Sequence, residues 1–400
     1  MDKFLGGMDG RYAPEKKTVL SLCNNRDGYT LSELGRIMGV SIPKISRIVG
    51  EMVRDGYMVE KGKLHSEGGR RAGLYGLNPD AGFFVGVEVG QETITIAVTD
   101  FPGHTVTIVD DVPFCLVSSE ESVRQLCGTI IARLAKAGVE MDRVRSAGIA
   151  LTGRVNHVTG YTYSYFISDE KPLRSLLEQY LGCKVTVEND SRAMAYGEYV
   201  SGVAGNEGTA LFLNVGLGLG MGMVMDGKLF YGRSGFSGEI GHFPLLDNNV
   251  FCRCGKIGCL ETGASGLALQ RLFVEKMNEG RPSVLSESYK NGRKISMDDI
   301  LDALKKEDMA AIECIEEVGA TLGRAVAGLI NIFNPELVVI GGRLSVAERY
   351  LMPPLRSAVN KLSLNLVNKD TQIKVSQLGK NAGAIGASLL AKDSILGEID

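Results

Sequence analysis

Residues 238–261 read GEIGHFPLLDNNVFCRCGKIGCLE, and this stretch decides how the rest of the chain is understood. His242, Cys252, Cys254 and Cys259 follow the pattern His-x9-Cys-x-Cys-x4-Cys. Three thiolates and one imidazole make a closed tetrahedral donor set, the kind zinc takes in structural sites. Gly255 and Gly258 let the loop fold tightly around an ion. The alternatives are three unrelated thiols or a redox pair. A Cys-x-Cys spacing is geometrically poor for a disulfide, and four such ligands rarely fall so close together by accident. A structural Zn2+ held by His242, Cys252, Cys254 and Cys259 is therefore expected. The other cysteines, Cys23, Cys115, Cys127, Cys183 and Cys314, lie in apolar segments and are expected in cores.

Around this loop the pattern is α/β. From Phe83 the spacing predicts strands at Phe83–Gly90, Thr93–Thr99 and Thr105–Val109, then a helix at Glu120–Ala137. Strand Ser146–Leu151, helix Pro172–Leu181 and strand Lys184–Glu188 follow. A second round begins at Thr209–Asn214 and Met221–Met225 and repeats the opening scheme of apolar strand, glycine turn, apolar strand. Gly216, Gly218, Gly220 and Gly222 form a ladder on that turn. A long apolar helix (Ala310–Phe333), strand Leu337–Ile340 with Gly341-Gly342, and a C-terminal helix from Gly383 complete it. Two similar α/β halves imply a bilobal fold with a cleft between them.

The quoted residues resemble the zinc signature of the ROK family (repressors, open reading frames, kinases). Asn189-Asp190 at a strand end resembles that family's sugar and catalytic position. The ladder from Asn214 to Gly222 resembles its second phosphate loop, and Val339-Ile340-Gly341-Gly342 its adenosine-side turn. The resemblance implies an actin-like, ribonuclease-H-like sugar-kinase fold for residues 81–400. Lobe one would be about 81–200 with the C-terminal helix 383–397, and lobe two about 201–382. It further implies that Asn189, Asp190, Glu239, His242 and Glu261 bond the hydroxyls of a sugar or sugar-derivative effector in the cleft. Carboxylates and amides suit that role because they accept and donate in pairs to vicinal diols. His242 would ligate with one ring nitrogen and offer the other to the sugar. In a kinase Asp190 would be the general base; read from the chain alone it also suits a helix N-cap before Ser191–Tyr199. Tyr163, Tyr165 and Phe166 suit either sugar stacking or an alternating strand.

The first phosphate turn departs from the kinases of the family, which carry Asp-x-Gly-Gly-Thr. Here the run is Glu88-Val89-Gly90-Gln91-Glu92-Thr93. An added carboxylate in a phosphate cradle repels the ligand by ~1–4 kcal/mol at close range. Leu217 also replaces a threonine of the second loop. These changes argue against ATP and Mg2+ and against catalysis. The competing reading is an ATP-dependent sugar kinase with a fused DNA-binding domain.

Residues 1–80 read as a winged helix-turn-helix. Thr30-Leu31-Ser32-Glu33 is a capping box, and the helix it opens stops at Gly39. Ser41 is expected to cap the next helix, with Pro43 tolerated in its first turn. Ile45, Ile48 and Met52 form one apolar stripe. Tyr57–Glu60 and Ala72–Leu77 alternate like the strands of a wing, with a basic glycine-bearing loop between. Asn78-Pro79-Asp80 marks the boundary. Ser41, Lys44 and Arg47 are expected to face the major groove of double-stranded operator DNA, with Arg70 and Arg71 at the wing tip reaching the minor groove.

Composition limits the other possibilities. Apolar residues make up 44% and charged residues 23%, which excludes wholesale disorder. No apolar run reaches membrane length and the N-terminus does not resemble a signal peptide, so a cytoplasmic protein without a membrane partner is expected. The formal net charge of −3 conceals an asymmetry. Residues 1–80 carry 13 Lys and Arg against 10 Asp and Glu, net +3; residues 81–400 carry 31 against 37, net −6. A mildly basic head on an acidic body points to a few placed side chains and to a homodimer or higher homo-oligomer reading a two-fold operator.

Overall fold

Reciprocal capping starts the head. The Thr30 N–H donates to Glu33 Oε2 at 2.8 Å and the Glu33 N–H to Thr30 Oγ1 at 3.2 Å, so two end groups of the helix are satisfied at once. The computed structural model describes residues 12–24, 26–63, 72–164, 166–167 and 171–396. The head comprises α1 (Ala13–Asn24), β1 (Tyr29–Thr30), α2 (Leu31–Met38), α3 (Ile42–Arg54), β2 (Met58–Lys63) and β3 (Gly73–Leu77). Gly39, at φ +64°, ends α2. Ile45, Ile48, Val49 and Met52 bury one face of α3. The strands form an antiparallel sheet in the order β1-β3-β2. Ser41 precedes α3, but its side chain makes no capping bond, unlike the expectation; Pro43 in the first turn needs no N–H partner there. Arg70, Arg71 and Tyr165 lie outside the described residues.

Residues 1–190 with 384–400 form one compact unit and residues 191–383 another. In the first unit β4 (Phe83–Val89), β5 (Thr93–Thr99) and β6 (Thr105–Pro113) are antiparallel neighbours, followed by α4 (Glu120–Lys136), β7 (Val144–Leu151), α5 (Leu173–Leu181), β8 (Lys184–Asn189) and the start of α6 (Asp190–Ser201). The sheet order is β6-β5-β4-β7-β8, with β7 and β8 parallel to β4. The carboxyl ends of three parallel strands thus share one edge, the usual ligand edge of an α/β sheet.

The second unit repeats the scheme with β9 (Thr209–Val215), β10 (Leu219–Met225) and β11 (Lys228–Leu229). Then come α7 (Gly266–Asn278), α8 (Ser286–Lys290), α9 (Met297–Lys305), α10 (Met309–Phe333), β12 (Leu337–Gly341), α11 (Glu348–Leu362), α12 (Asn365–Asn368) and β13 (Gln372–Val375). The order is β11-β10-β9-β12-β13. Gly319 and Gly323 of α10 face the carbonyls of Leu351 and Leu355, which lets α10 and α11 pack at backbone distance. Among the described residues no helix is long and apolar enough to cross a membrane.

The cysteine expectation needs one correction. Cys23, Cys127 and Cys314 are buried, but Cys115 is exposed and Cys183 only partly covered. Cys115 follows the end of β6, where the chain has left the sheet, so its apolar neighbours do not place it in a core.

The last helix, α13 (Ala382–Leu396), lies against the first sheet. Gly86 and Gly148 are register partners on β4 and β7. A Cβ added at either would sit 1.9 Å from a backbone oxygen of this helix, Ala384 or Ala387 respectively. Gly148→Ala should force α13 off the sheet and lower stability by about 1–3 kcal/mol, the usual cost of overpacking. Denaturant unfolding of the full chain measures this as a lower midpoint.

Candidate metal centre and hydroxyl-binding residues

The metal loop is built by short backbone pairings. Pro244 bridges Cys259 and Phe251 bridges Ile257, while the Leu246 N–H donates to Gly258 O at 3.0 Å. Gly255 and Gly258 adopt φ of +84° and +77°, a region costly for other residues. One ligand atom each from His242, Cys252, Cys254 and Cys259 lies within 4.8 Å of the others. Cys254 Sγ is 3.6 Å from Cys259 Sγ, and Cys252 Sγ is 3.5 Å from His242 Nδ1. Thiolates on a tetrahedral zinc at ~2.3 Å stand ~3.8 Å apart, so the donor set matches in both chemistry and spacing. Cys252 and Cys259 are buried, whereas Cys254 is exposed.

His242 turns Nδ1 toward the thiols, and its Nε2 lies 3.7 Å from Glu239 Oε2. One nitrogen therefore faces the thiols and the other a carboxylate, whereas the sequence reading reserves the second nitrogen for a sugar. Glu261 is tied down on both sides. Its Oε2 accepts the Leu219 N–H at 3.0 Å, and its Oε1 lies 3.6 Å from Cys252 Sγ. It braces the metal loop against the first residue of β10.

The glycine ladder acquires a packing reason that sequence reading did not supply. A Cβ at Gly218 would meet Glu261 Oε2 at 2.6 Å, one at Gly220 would meet Ser191 Oγ at 2.2 Å, and one at Gly222 would meet Ala195 Cβ at 2.4 Å. Gly216 has open space at the same test. Three of the four glycines therefore admit neighbouring protein groups.

In the first unit, Asn189 ends β8 and Asp190 begins α6. Thr152 Oγ1 donates to Asp190 Oδ2 at 2.9 Å, and Asn189 Nδ2 donates to Asp190 Oδ1 at 3.0 Å and to Gly153 O at 2.9 Å. Both carboxylate oxygens of Asp190 are thus paired with donors of the first unit. Thr152 was missed by sequence reading; only its place just past a strand end marked it. Glu88, near the end of β4, is partly buried and accepts the Ala384 N–H. Tyr163 is exposed, Phe166 is buried, and neither continues a regular strand.

In the head, Ser41 just before α3 and Arg47 on it are exposed. Lys44, expected on the same open face, is partly buried: its ammonium donates to Glu15 Oε1 at 2.8 Å and stands 5.7 Å from the centre of the Tyr12 ring. Sequence spacing within α3 gives no warning of this partner on α1.

The ROK family model matches residues 84–394. A xylose repressor of Caldicellulosiruptor bescii is 30% identical over 368 residues, covering 91% of this chain and 92% of the repressor. A glucokinase of Halalkalibacterium halodurans is 31% identical over 320 residues, covering 78% of this chain and 95% of the enzyme. A crystal structure of a ROK family transcriptional regulator, a homologue of the Escherichia coli MLC protein, superposes with a TM-score of 0.79 at 27% identity, covering 96% of both chains.

Glu88 gives the first unit a pH dependence. Burial, and then the facing Asp190 carboxylate, push its pKa up to about 8, against the hydrogen bond from Ala384. An acid whose pKa is raised on folding binds more protons folded than unfolded. Its contribution is full below about 4.5 and is lost as pH rises to about 8. Glu88→Gln should abolish that slope and be more stable than the parent above pH 8 by about 2 kcal/mol. Unfolding midpoints at pH 5 and pH 9 test both statements.

Proposed function

The chain belongs to the ROK family, and from that premise we propose that it is a transcriptional repressor of carbohydrate genes, released from double-stranded operator DNA by a sugar or sugar-derivative effector. The extent of the likeness carries this reading. Alignment with the xylose repressor takes in 91% of the chain, whereas alignment with the glucokinase takes in 78%. The family model itself starts at residue 84, just past the winged head. A helix-turn-helix of this form places its second helix in the major groove. Arg47 is an exposed cation in the first half of α3 and Ser41 stands at its start; Lys44 joins them by exchanging its Glu15 partner for DNA. Arg70 and Arg71 extend the contact to the minor groove. A two-fold operator then calls for a homodimer or a higher homo-oligomer in the cytoplasm.

The effector residues of this reading are Asn189, Asp190, Glu239, His242 and Glu261. Together they offer an amide, three carboxylates and an imidazole, a mixture suited to polyols and poorly suited to anions. His242, Cys252, Cys254 and Cys259 fit a structural Zn2+, which cross-links the loop and fixes the His242 ring so that Nε2 points away from the thiols.

The glucokinase likeness favours a second reading, a sugar kinase with a fused DNA-binding head and Asp190 as general base. Glu92 counts against it, since it adds a carboxylate beside the turn where ATP phosphates and Mg2+ approach in kinases, while Glu88 lengthens the acid of that turn and Gln91 fills its second glycine position. Leu217 likewise brings no hydroxyl. On the repressor reading the chain is not an enzyme.

Gel-shift titration with duplexes selected from a random pool tests the assignment. Wild-type protein should retain DNA, D-xylose or D-glucose should weaken retention, and Arg47→Ala should weaken it by about tenfold, as expected of a lost base or phosphate contact. Sugar-dependent ADP release in a coupled assay would instead establish the kinase. Metal analysis should return one zinc per chain, and Cys252→Ser or chelation should remove it and lower the unfolding temperature, as structural sites do.

A further inference from the structure

Asn78-Pro79-Asp80 reads as a linker, yet the structure clamps it. The Asn78 N–H donates to Tyr57 O at 3.0 Å and its amide Nδ2 to Gly56 O at 2.7 Å. From the body side, Arg145 Nε donates to Ala81 O at 2.9 Å and Arg143 Nη2 to Asp80 O at 3.2 Å. Ala81 is buried. A segment with this many fixed backbone groups is a joint without freedom.

A second attachment lies at the other end of the chain. Val19, Leu20 and Cys23 of α1 share one buried cluster with Phe84 of β4, Phe101 of the β5–β6 turn and Leu396 of α13. The rings of Phe84 and Phe101 stack with centres 5.7 Å apart. Beside this cluster Asn24 Nδ2 donates to Asp393 Oδ1 at 2.9 Å, and Lys392 Nζ donates to Pro102 O at 3.0 Å. Asp393 is only 2% exposed, so its bond to the head is shielded from water.

We infer that Asn24, Asp393 and Arg145 are positioning residues for DNA recognition: they fix the winged head to the first sheet as one rigid body, with α13 as the strut. At 15 residues this helix is about 22 Å long. It seats Ala384 beside Glu88 near one end and Asp393 beside Asn24 near the other. The aim of α3 is then set by the whole first unit and not by a swinging tether. This inference rests on the DNA-binding reading above, but its structural half is measured separately.

The experiment uses the full chain and reciprocal substitutions. Asn24→Asp sets two carboxylates face to face in a shielded site. Adding Asp393→Asn restores one donor and one acceptor with the directions reversed. Amide hydrogen exchange is followed at residues 78–82, 390–396 and 42–54. Binding is measured on duplexes selected from a random pool by the wild-type chain. Asn24→Asp should speed exchange at 78–82 and 390–396 at least tenfold, leave 42–54 protected because the head stays folded, and weaken DNA binding about tenfold. The double variant should return both readouts to within about threefold of wild type. Unchanged exchange in Asn24→Asp overturns the clamp, and altered exchange with unchanged DNA affinity overturns the positioning role. Failure of the double variant to restore either readout overturns the Asn24–Asp393 pairing. If the wild-type chain retains no duplex, the DNA-binding reading falls while exchange still decides the clamp.

Discussion

The close seat of α13 on Gly86 and Gly148 is the constraint on which the first unit depends. Any side chain at these two positions would stand inside the van der Waals radius of a helix carbonyl, so only glycine admits the helix to backbone distance. The helix answers with small residues of its own: Ala384, Ala387 and Ala391 are all fully buried. Leu389 and Leu390 are buried as well, so apolar contact surrounds α13 instead of marking one face. Its polar members are accounted for one by one, Ser394 Oγ by donating to Ala391 O at 2.8 Å. Ser388 Oγ donates to Ile385 O, Lys392 to Pro102 O, and Asp393 accepts from Asn24. Ser146 Oγ of β7 reaches up to Ala391 O at 2.8 Å. A helix this well paired transmits displacement better than it absorbs it.

The second unit solves a different problem. The loop carrying the cysteines leaves Phe243, Phe251 and Ile257 about half exposed or more, so little apolar burial holds it. Its shape rests on two isolated bridges, a few backbone bonds and the four clustered donors. That is the situation in which a metal contributes most, because ordering entropy is otherwise unrecovered. Glu261 extends the order from the loop to β10 through the Leu219 N–H, and Gly218 leaves the room it needs. The ladder resembling a phosphate loop is thus also a packing surface.

Much of this was legible because local rules and tertiary structure agree. The capping box at Thr30, the stripe on α3 and the ligand spacing around Cys252 are short-range signals that the fold leaves intact. Long-range pairing is what escaped. Lys44 looks like an open cation on α3, but Glu15 lies 29 positions away and meets it only after α1 folds back. Thr152 gains meaning from Asp190, 38 positions on. Strand β13 was missed because Gln372–Val375 is a short edge strand without full burial on either face, so no period marks it. Asn78-Pro79-Asp80 has the composition of a linker, and composition says nothing of the arginines on β7 and just before it that hold the turn.

Glu88 gives the first turn a partner inside the protein. A phosphate cradle presents N–H groups to an external anion, and a helix start favours negative charge there. In this chain a carboxyl group of the protein takes the Ala384 N–H, so part of that demand is met from within. A donor already engaged offers less to a nucleotide, and Asp190 nearby adds like charge to any phosphate that enters. A regulator gains from this arrangement. An effector shifts a two-state equilibrium only by its differential affinity for the two states. If abundant nucleotide bound the same edge, it would bias that equilibrium at every sugar concentration. An internal carboxyl group on the Ala384 N–H leaves one donor fewer for such a ligand.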